Sequence, residues 1–171
     1  MCPVAARASW IACTSLACNQ IAAPIPGGID LDTSLGYLLK EASSALRSAM
    51  EEVLRPLGMT ITHYSCLELL AQRPGLSNSE LARGAFVTRQ SMNVLLQALE
   101  RDGFVTRPPE APAGKALPTT LTSRGRSSLG QATAAVRSVE VRMLAGMTDD
   151  EQAAALRALR SMVPSLHDSP R

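Results

Sequence analysis

LSNSELARGAFVTRQSMNVLLQALERDGFVTRPPEAPAGKALPTTLT, residues 76–122, is the stretch whose reading decides the fold. Ser77-Asn78-Ser79-Glu80 is an S-x-x-E capping box, in which hydroxyl and carboxylate each take an orphan amide of a helix start. The helix it opens is short and ends near Gly84. Ala85-Phe86-Val87 reads as a turn, with Phe86 or Val87 expected to plug the core between helices. Thr88 caps a second helix that runs to Asp102, with Met92, Leu95, Leu96 and Leu99 facing inward at three and four spacing. Gly103 closes it in the left-handed position. Phe104–Arg107 then reads as a strand. Pro108–Lys115 is too rich in Pro and Gly for regular structure, and Leu117–Leu121 returns as a second strand with Pro118 at an edge. The order is helix, turn, helix, hairpin.

The outer face of the second helix carries Arg89, Gln90, Ser91, Asn93 and Gln97. Arg bonds guanine, and Asn or Gln bonds adenine, in bidentate geometries. A helix start also offers free amides and a positive dipole end to phosphate. Ser77 and Thr88 at the two helix starts, Arg107 on the first strand and Lys115 at the hairpin tip complete the candidate DNA contacts. An ordinary solvated helix face is the competing reading, and the capped short helix and tight turn just before it favour the reader. A ribbon beside such a unit places its tip near the minor groove, where a base meets negative potential.

Composition supports this outward from the stretch. The 171 residues suit one domain or one small two-lobed unit, and with 46% hydrophobic but 3% aromatic residues the core must come from Leu, Ala, Val and Met. That mix favours helix over sheet. The net charge of +2 names no partner, but its distribution does more: residues 75–126 hold seven bases against four acids, residues 30–74 four against six. Four cysteines and two histidines show no metal-ligand spacing, so neither metal nor cofactor is expected. Reduced cytosolic thiols are the expectation for the cysteines, Cys66 packs as a small hydrophobe, and a cytoplasmic location follows.

On either side lie helices. Residues 1–29 read as a loosely ordered extension; the apolar run around Trp10 to Leu16 is too short and polar for a membrane span. Leu35, Leu38, Leu39, Ala42, Leu46, Ala49, Met50, Val53 and Leu54 make a stripe on a helix from about Thr33 to Leu54, capped by Asp32 or Thr33. At about 1.5 Å per residue it is roughly 30 Å long, more than a small lobe needs. A helix over Ile61–Gln72 follows, capped by Thr60. After the hairpin a helix runs from about Ser123 to Ala145. A last one opens on the Thr148–Glu151 capping box and is expected to stop at Pro164. The expected division is extension 1–29, dimerisation helix 30–56, reader 57–122, dimerisation helices 123–164 and flexible tail 165–171.

Residues 57–125 resemble the MarR family of winged-helix bacterial transcriptional regulators. The likeness rests on Leu57-Gly58-Met59-Thr60, on Leu76-Ser77, on Leu99-Glu100 through Arg107 as L-E-x-x-G-x-x-x-R, and on Leu121-Thr122-Ser123-Arg124-Gly125 as L-T-x-x-G; it extends to about 33–163. It implies a mainly α fold with a small β-hairpin wing, a winged helix-turn-helix plus a helical dimerisation lobe. It implies a homodimer in which the first and last helices intertwine and two readers meet a pseudo-palindromic operator on double-stranded DNA. It also implies release by a small phenolic or other aromatic ligand between the lobes. Two positions depart from the family pattern. Ala113-Gly114-Lys115 stand where the wing commonly has Asp-x-Arg, and Val94 stands where many members have Arg. The redox-sensing branch has a Cys near the start of its first helix, and this chain has none between Cys18 and Cys66. A DNA-binding regulator, most simply a repressor, is the leading expectation. The alternative is a degenerate winged-helix protein serving protein–protein assembly. No phosphate loop or paired-carboxylate cleft supports an enzyme.

Overall fold

The computed structural model describes residues 27–107 and 119–167. The chain divides between Leu39 and Lys40 into two units, inside the segment 30–56 expected to act as one helix. The expected extension 1–29 lies almost wholly outside the described residues.

In the first unit, Asp30 closes a turn by accepting from the Asp32 amide at 3.1 Å and the Thr33 hydroxyl at 2.8 Å. Helix α1 (Leu35–Leu54) begins here. Ser34 opens it, not Asp32 or Thr33 as expected: its carbonyl accepts from the Leu38 amide at 3.0 Å and its hydroxyl from the Tyr37 amide at 3.4 Å. The turn on Asp30 occupies Asp32 and Thr33 and pushes the helix start along by one to two residues.

The second unit holds the rest of α1, a 3-10 turn at Arg55–Leu57, α2 (Ile61–Gln72), α3 (Asn78–Gly84), α4 (Arg89–Arg101), β1 (Val105–Thr106), β2 (Thr120–Leu121), α5 (Ser123–Leu144) and α6 (Asp149–His167). The strands are antiparallel, Val105 opposite Leu121 and Thr106 opposite Thr120. Both are shorter than their sequence reading, and the hairpin tip lies outside the described residues. Thr60 caps α2 as expected, accepting from the His63 amide at 3.2 Å.

The core is built where the periodicity put it. Cys66, Leu67 and Leu70 of α2, Leu81 and Ala82 of α3, and Met92, Leu95, Leu96 and Leu99 of α4 are buried together with Val105, Leu121, Leu129 and Ala132. Each large aliphatic among them contributes roughly 1.5–3 kcal/mol by leaving water. Burial pushes the Cys66 thiol up to about 12, so at neutral pH it is a protonated packing group and a poor nucleophile.

The two motifs now have physical reasons. In L-E-x-x-G-x-x-x-R, Leu99 enters the core. Gly103 turns the chain at φ +75°, a region open to glycine. Arg107 donates to Glu100, with Nε at 3.0 Å, and fastens the strand to α4. In L-T-x-x-G, the Thr122 hydroxyl accepts from the Gly125 amide at 3.0 Å and donates to the Gly103 carbonyl at 2.7 Å. A Cβ on Gly125 would lie 2.1 Å from the Phe104 carbonyl oxygen. Only glycine lets α5 start so close to β1.

Helix α6 opens on the expected capping box, with the Thr148 amide 2.7 Å from the Glu151 carboxylate. It does not stop at Pro164 but runs on to His167. Proline has a helical φ and costs one amide bond and a clash with a carbonyl four residues back; that carbonyl belongs to Arg160, which is exposed and open to water. Among the described residues no helix is long and apolar enough to cross a membrane.

Candidate nucleic-acid interface

Helix α3 is fixed before α4 by two polar devices. Ser77 caps it: the Ser77 amide and hydroxyl donate to the Glu80 carboxylate at 2.8 and 2.6 Å, and the Glu80 amide returns to the Ser77 hydroxyl. Those bonds hold the Glu80 carboxyl below the usual carboxylate range. Asn78 Nδ2 then donates to the Arg89 carbonyl at 3.3 Å, tying the start of α3 to the first turn of α4. The Asn78 Oδ1 is buried and has no partner among the described residues.

The turn is Ala85-Phe86-Val87. The Phe86 amide donates to the Arg83 carbonyl at 3.2 Å and the Val87 amide to the Ala82 carbonyl at 3.0 Å. Val87 and Ala85 pack on the core. Phe86 does not plug it: at φ +56° its side chain leaves the turn and is 95% exposed. The left-handed backbone swings Cβ outward, so one of the two expected plugs points to solvent.

Thr88 caps α4, accepting from the Ser91 amide at 3.1 Å. Its hydroxyl also pairs with that of Ser91 at 2.8 Å. The cap consumes the third amide of the helix and leaves those of Arg89 and Gln90 facing outward at the positive dipole end. Behind them Met92, Leu95, Leu96 and Leu99 are sealed in the core. In front, Arg89, Gln90, Ser91, Asn93 and Gln97 are all exposed, with Val94 beside them. The surface thus offers one guanidinium, four groups that both donate and accept, and one apolar methyl pair.

Arg107 stands apart from this face. Its guanidinium is taken up by Glu100, whose carboxyl is held below its ordinary range by that hydrogen bond. Lys115 lies outside the described residues. Ser77 and Thr88 are spent on capping, so they place the reader more than they touch a partner. Sequence reasoning passed over Asn78, whose bridge to Arg89 joins residues eleven apart, and the exposed Arg83 on α3, a single base with no periodic signal around it. It also passed over Arg124, which lies 4.9 Å above the Phe104 ring and stiffens the base of the hairpin.

Away from this face a cleft of about 600 Å³ opens between α1 and the start of α2, lined by Arg47, Glu51, Arg55, Met59, Thr60 and Ile61. Arg47 is paired with Glu51 at 3.1 Å, and Arg55 has no ion pair among the described residues.

Comparison with known proteins agrees with this geometry. A family model described as the MarR family matches residues 57–116. The HTH-type transcriptional repressor Rv2887 of Mycobacterium tuberculosis (strain ATCC 25618 / H37Rv) is 44% identical over 135 residues, 79% of this chain and 97% of that protein. The crystal structure of Rv2887 complexed with DNA superposes with a TM-score of 0.65, covering 77% of this chain and 98% of that one. Its complex with salicylic acid gives 0.64 at 77% and 97% coverage. The repressor CouR bound to a 23-mer DNA duplex, 28% identical, gives 0.70 at 78% and 94%. With such identity across nearly the whole of a repressor, and with the capped reader and wing in place, the chain belongs to the MarR family of winged-helix transcriptional regulators.

Proposed function

We propose that the chain works as a homodimeric repressor that sets the first turns of two α4 helices into successive major grooves of a pseudo-palindromic operator. The observation that carries this is the face of α4: base-reading side chains exposed on one side, a sealed core on the other. Arg89, Gln90, Ser91 and Asn93 supply discrimination. Val94 adds apolar contact with a thymine methyl in place of a further base. Arg83 and the open amides of α4 meet phosphates, and Lys115 meets the backbone from the hairpin tip, which makes binding salt-dependent. Residues 57–122 form the reader, and 30–56 with 123–164 the dimer lobe. The second copy covers the stripe Leu156, Leu159, Val163 and Leu166 on α6, all exposed in a single chain. The site of action is the cytoplasm, where bacterial DNA is.

Rv2887 has been crystallised with salicylic acid and with p-aminosalicylic acid. We infer that an aromatic carboxylate also regulates this chain, its carboxylate on Arg55 and its ring against Met59 and Ile61 of the cleft. A ligand that prefers a reader spacing unsuited to the operator releases DNA by population shift.

The test is a titration of labelled duplexes, selected from a random library by the wild-type protein, against wild type and Arg89→Ala. The variant is expected to keep its helical circular dichroism and to lose about 1–3 kcal/mol of binding. Added salicylate is expected to lower the affinity of the wild type. Equal affinity of the two proteins would remove Arg89 from the reader. A protein that dimerises yet binds no duplex at low salt would instead favour the assembly role.

A further inference from the structure

Phe86 combines two properties that work against an isolated fold. At φ +56° its Cβ crowds the local backbone, and the ring gains nothing in return because it is 95% exposed. The turn does not need it as an anchor, since Ala85 and Val87 already pack on the core. Elsewhere in the same lobe the left-handed positions of the described residues are filled by Gly58, Gly75 and Gly103. Strained residues persist where the surroundings fix them, and they cluster at ligand contacts. Here the Phe86 and Val87 amides, bonded to Arg83 and Ala82, hold the turn against α3.

The ring's position in the chain says what it meets. It lies two residues before the Thr88 cap and three before Arg89. In a helix-turn-helix the second helix enters the major groove by its N-terminal end while the first crosses the backbone. The turn joining them therefore runs at the rim of the groove, among sugars and phosphates. A phenyl ring has no donor for a phosphate oxygen, but it can cover the apolar face of a deoxyribose. We propose that Phe86 is a sequence-independent DNA contact, its ring packed on a backbone sugar at the groove rim. This rests on the DNA-binding reading above and adds to it a term that is apolar and carries no counterion dependence.

The experiment compares full-length wild type, Phe86→Gly and Phe86→Ala on two duplexes of equal length, one selected from a random library by the wild type and one unrelated. Phe86→Gly is expected to melt about 2–4 °C higher, since glycine takes this φ freely. It is also expected to bind both duplexes about tenfold more weakly, the effect of uncovering roughly half a phenyl side chain. The slope of log affinity against log salt is expected to stay as in the wild type. Phe86→Ala is expected to lose the same affinity without the gain in melting temperature. Unchanged affinity in both variants would overturn the proposal, leaving the ring as tolerated strain. A loss confined to the selected duplex would overturn it too, by making the contact one with a base. Wild type that binds neither duplex at low salt would sink the DNA-binding reading itself, which keeps the two failures apart.

Discussion

Leu96 of α4 and Leu159 of α6 are the same side chain in two different settings. Leu96 is 1% exposed and Leu159 44%. The contrast holds for the regions around them. The helices of the reader seal their apolar faces against one another, whereas α6 has no buried residue at all. Both helices are amphipathic in sequence, so periodicity alone does not separate a helix that packs within its own chain from one that waits for another. The difference teaches that the reader buries its own apolar faces, and on the dimeric reading proposed above the end of the chain takes its stability from association.

The largest effect that could break this comparison is at Leu96. Leu96→Ala is expected to cost about 2–5 kcal/mol, a transfer term plus a cavity. Denaturant unfolding measures it, and the variant should still sediment as a dimer under native conditions. A variant that dissociates while its α2–α4 core remains protected from amide exchange would mean that the reader also holds the pair together.

Leu159→Ala tests the other side with a smaller effect. The residue has only part of its surface left to bury, so truncation on both copies is expected to weaken association by about 1–2 kcal/mol per dimer. Analytical ultracentrifugation across a dilution series reads this directly. Amide protection of α2 and α4 should stay as in the wild type. A dimer dissociation constant that does not move would place the interface on some other face.

Much of the reader is legible in the sequence because its signals are local. The capping pair Ser77 and Glu80, the cap Thr88 and the stripe from Met92 to Leu99 each depend on residues within one or two turns. The motif ending in Arg107 was legible as a string but not in its chemistry. Arg107 looks like a DNA contact until the chain reverses at Gly103 and brings its guanidinium onto Glu100. Of the two turn residues expected as the plug, Val87 packs on the core and Phe86 does not, for a related reason. A large apolar residue in a turn is expected to point inward, and only the sign of its φ sends it out. At Pro164 a general rule gave way to position: an exposed last turn lets water take the carbonyl that proline leaves unbonded. The exposed Arg83 and the Asn78 bridge needed the spatial neighbourhood of α3 and α4.

The smallest effect concerns pH and again separates the reader from the flanks. His63 of α2 lines a small cavity of about 80 Å³ with Met59, Leu67, Leu99, Asp102 and Phe104. Burial draws its pKa below the ordinary value of 6.5, and the Asp102 carboxylate opposes that shift without cancelling it. The folded pKa is therefore lower than the unfolded one. As pH falls through 6.5 the unfolded chain takes up a proton that the folded chain refuses, so stability declines until the folded pKa is passed. The carboxyls of Glu80, Glu100 and Glu151 are held below 4.5, so their contributions are present above that value and are lost only at lower pH. Between about pH 5 and 7 the slope is thus expected to belong to His63. Denaturation midpoints measured in that window should fall with acidification in the wild type and flatten in His63→Gln. A wild type that gains stability on acidification would mean that the Asp102 attraction outweighs burial. A slope that survives in His63→Gln would assign it to a group other than His63.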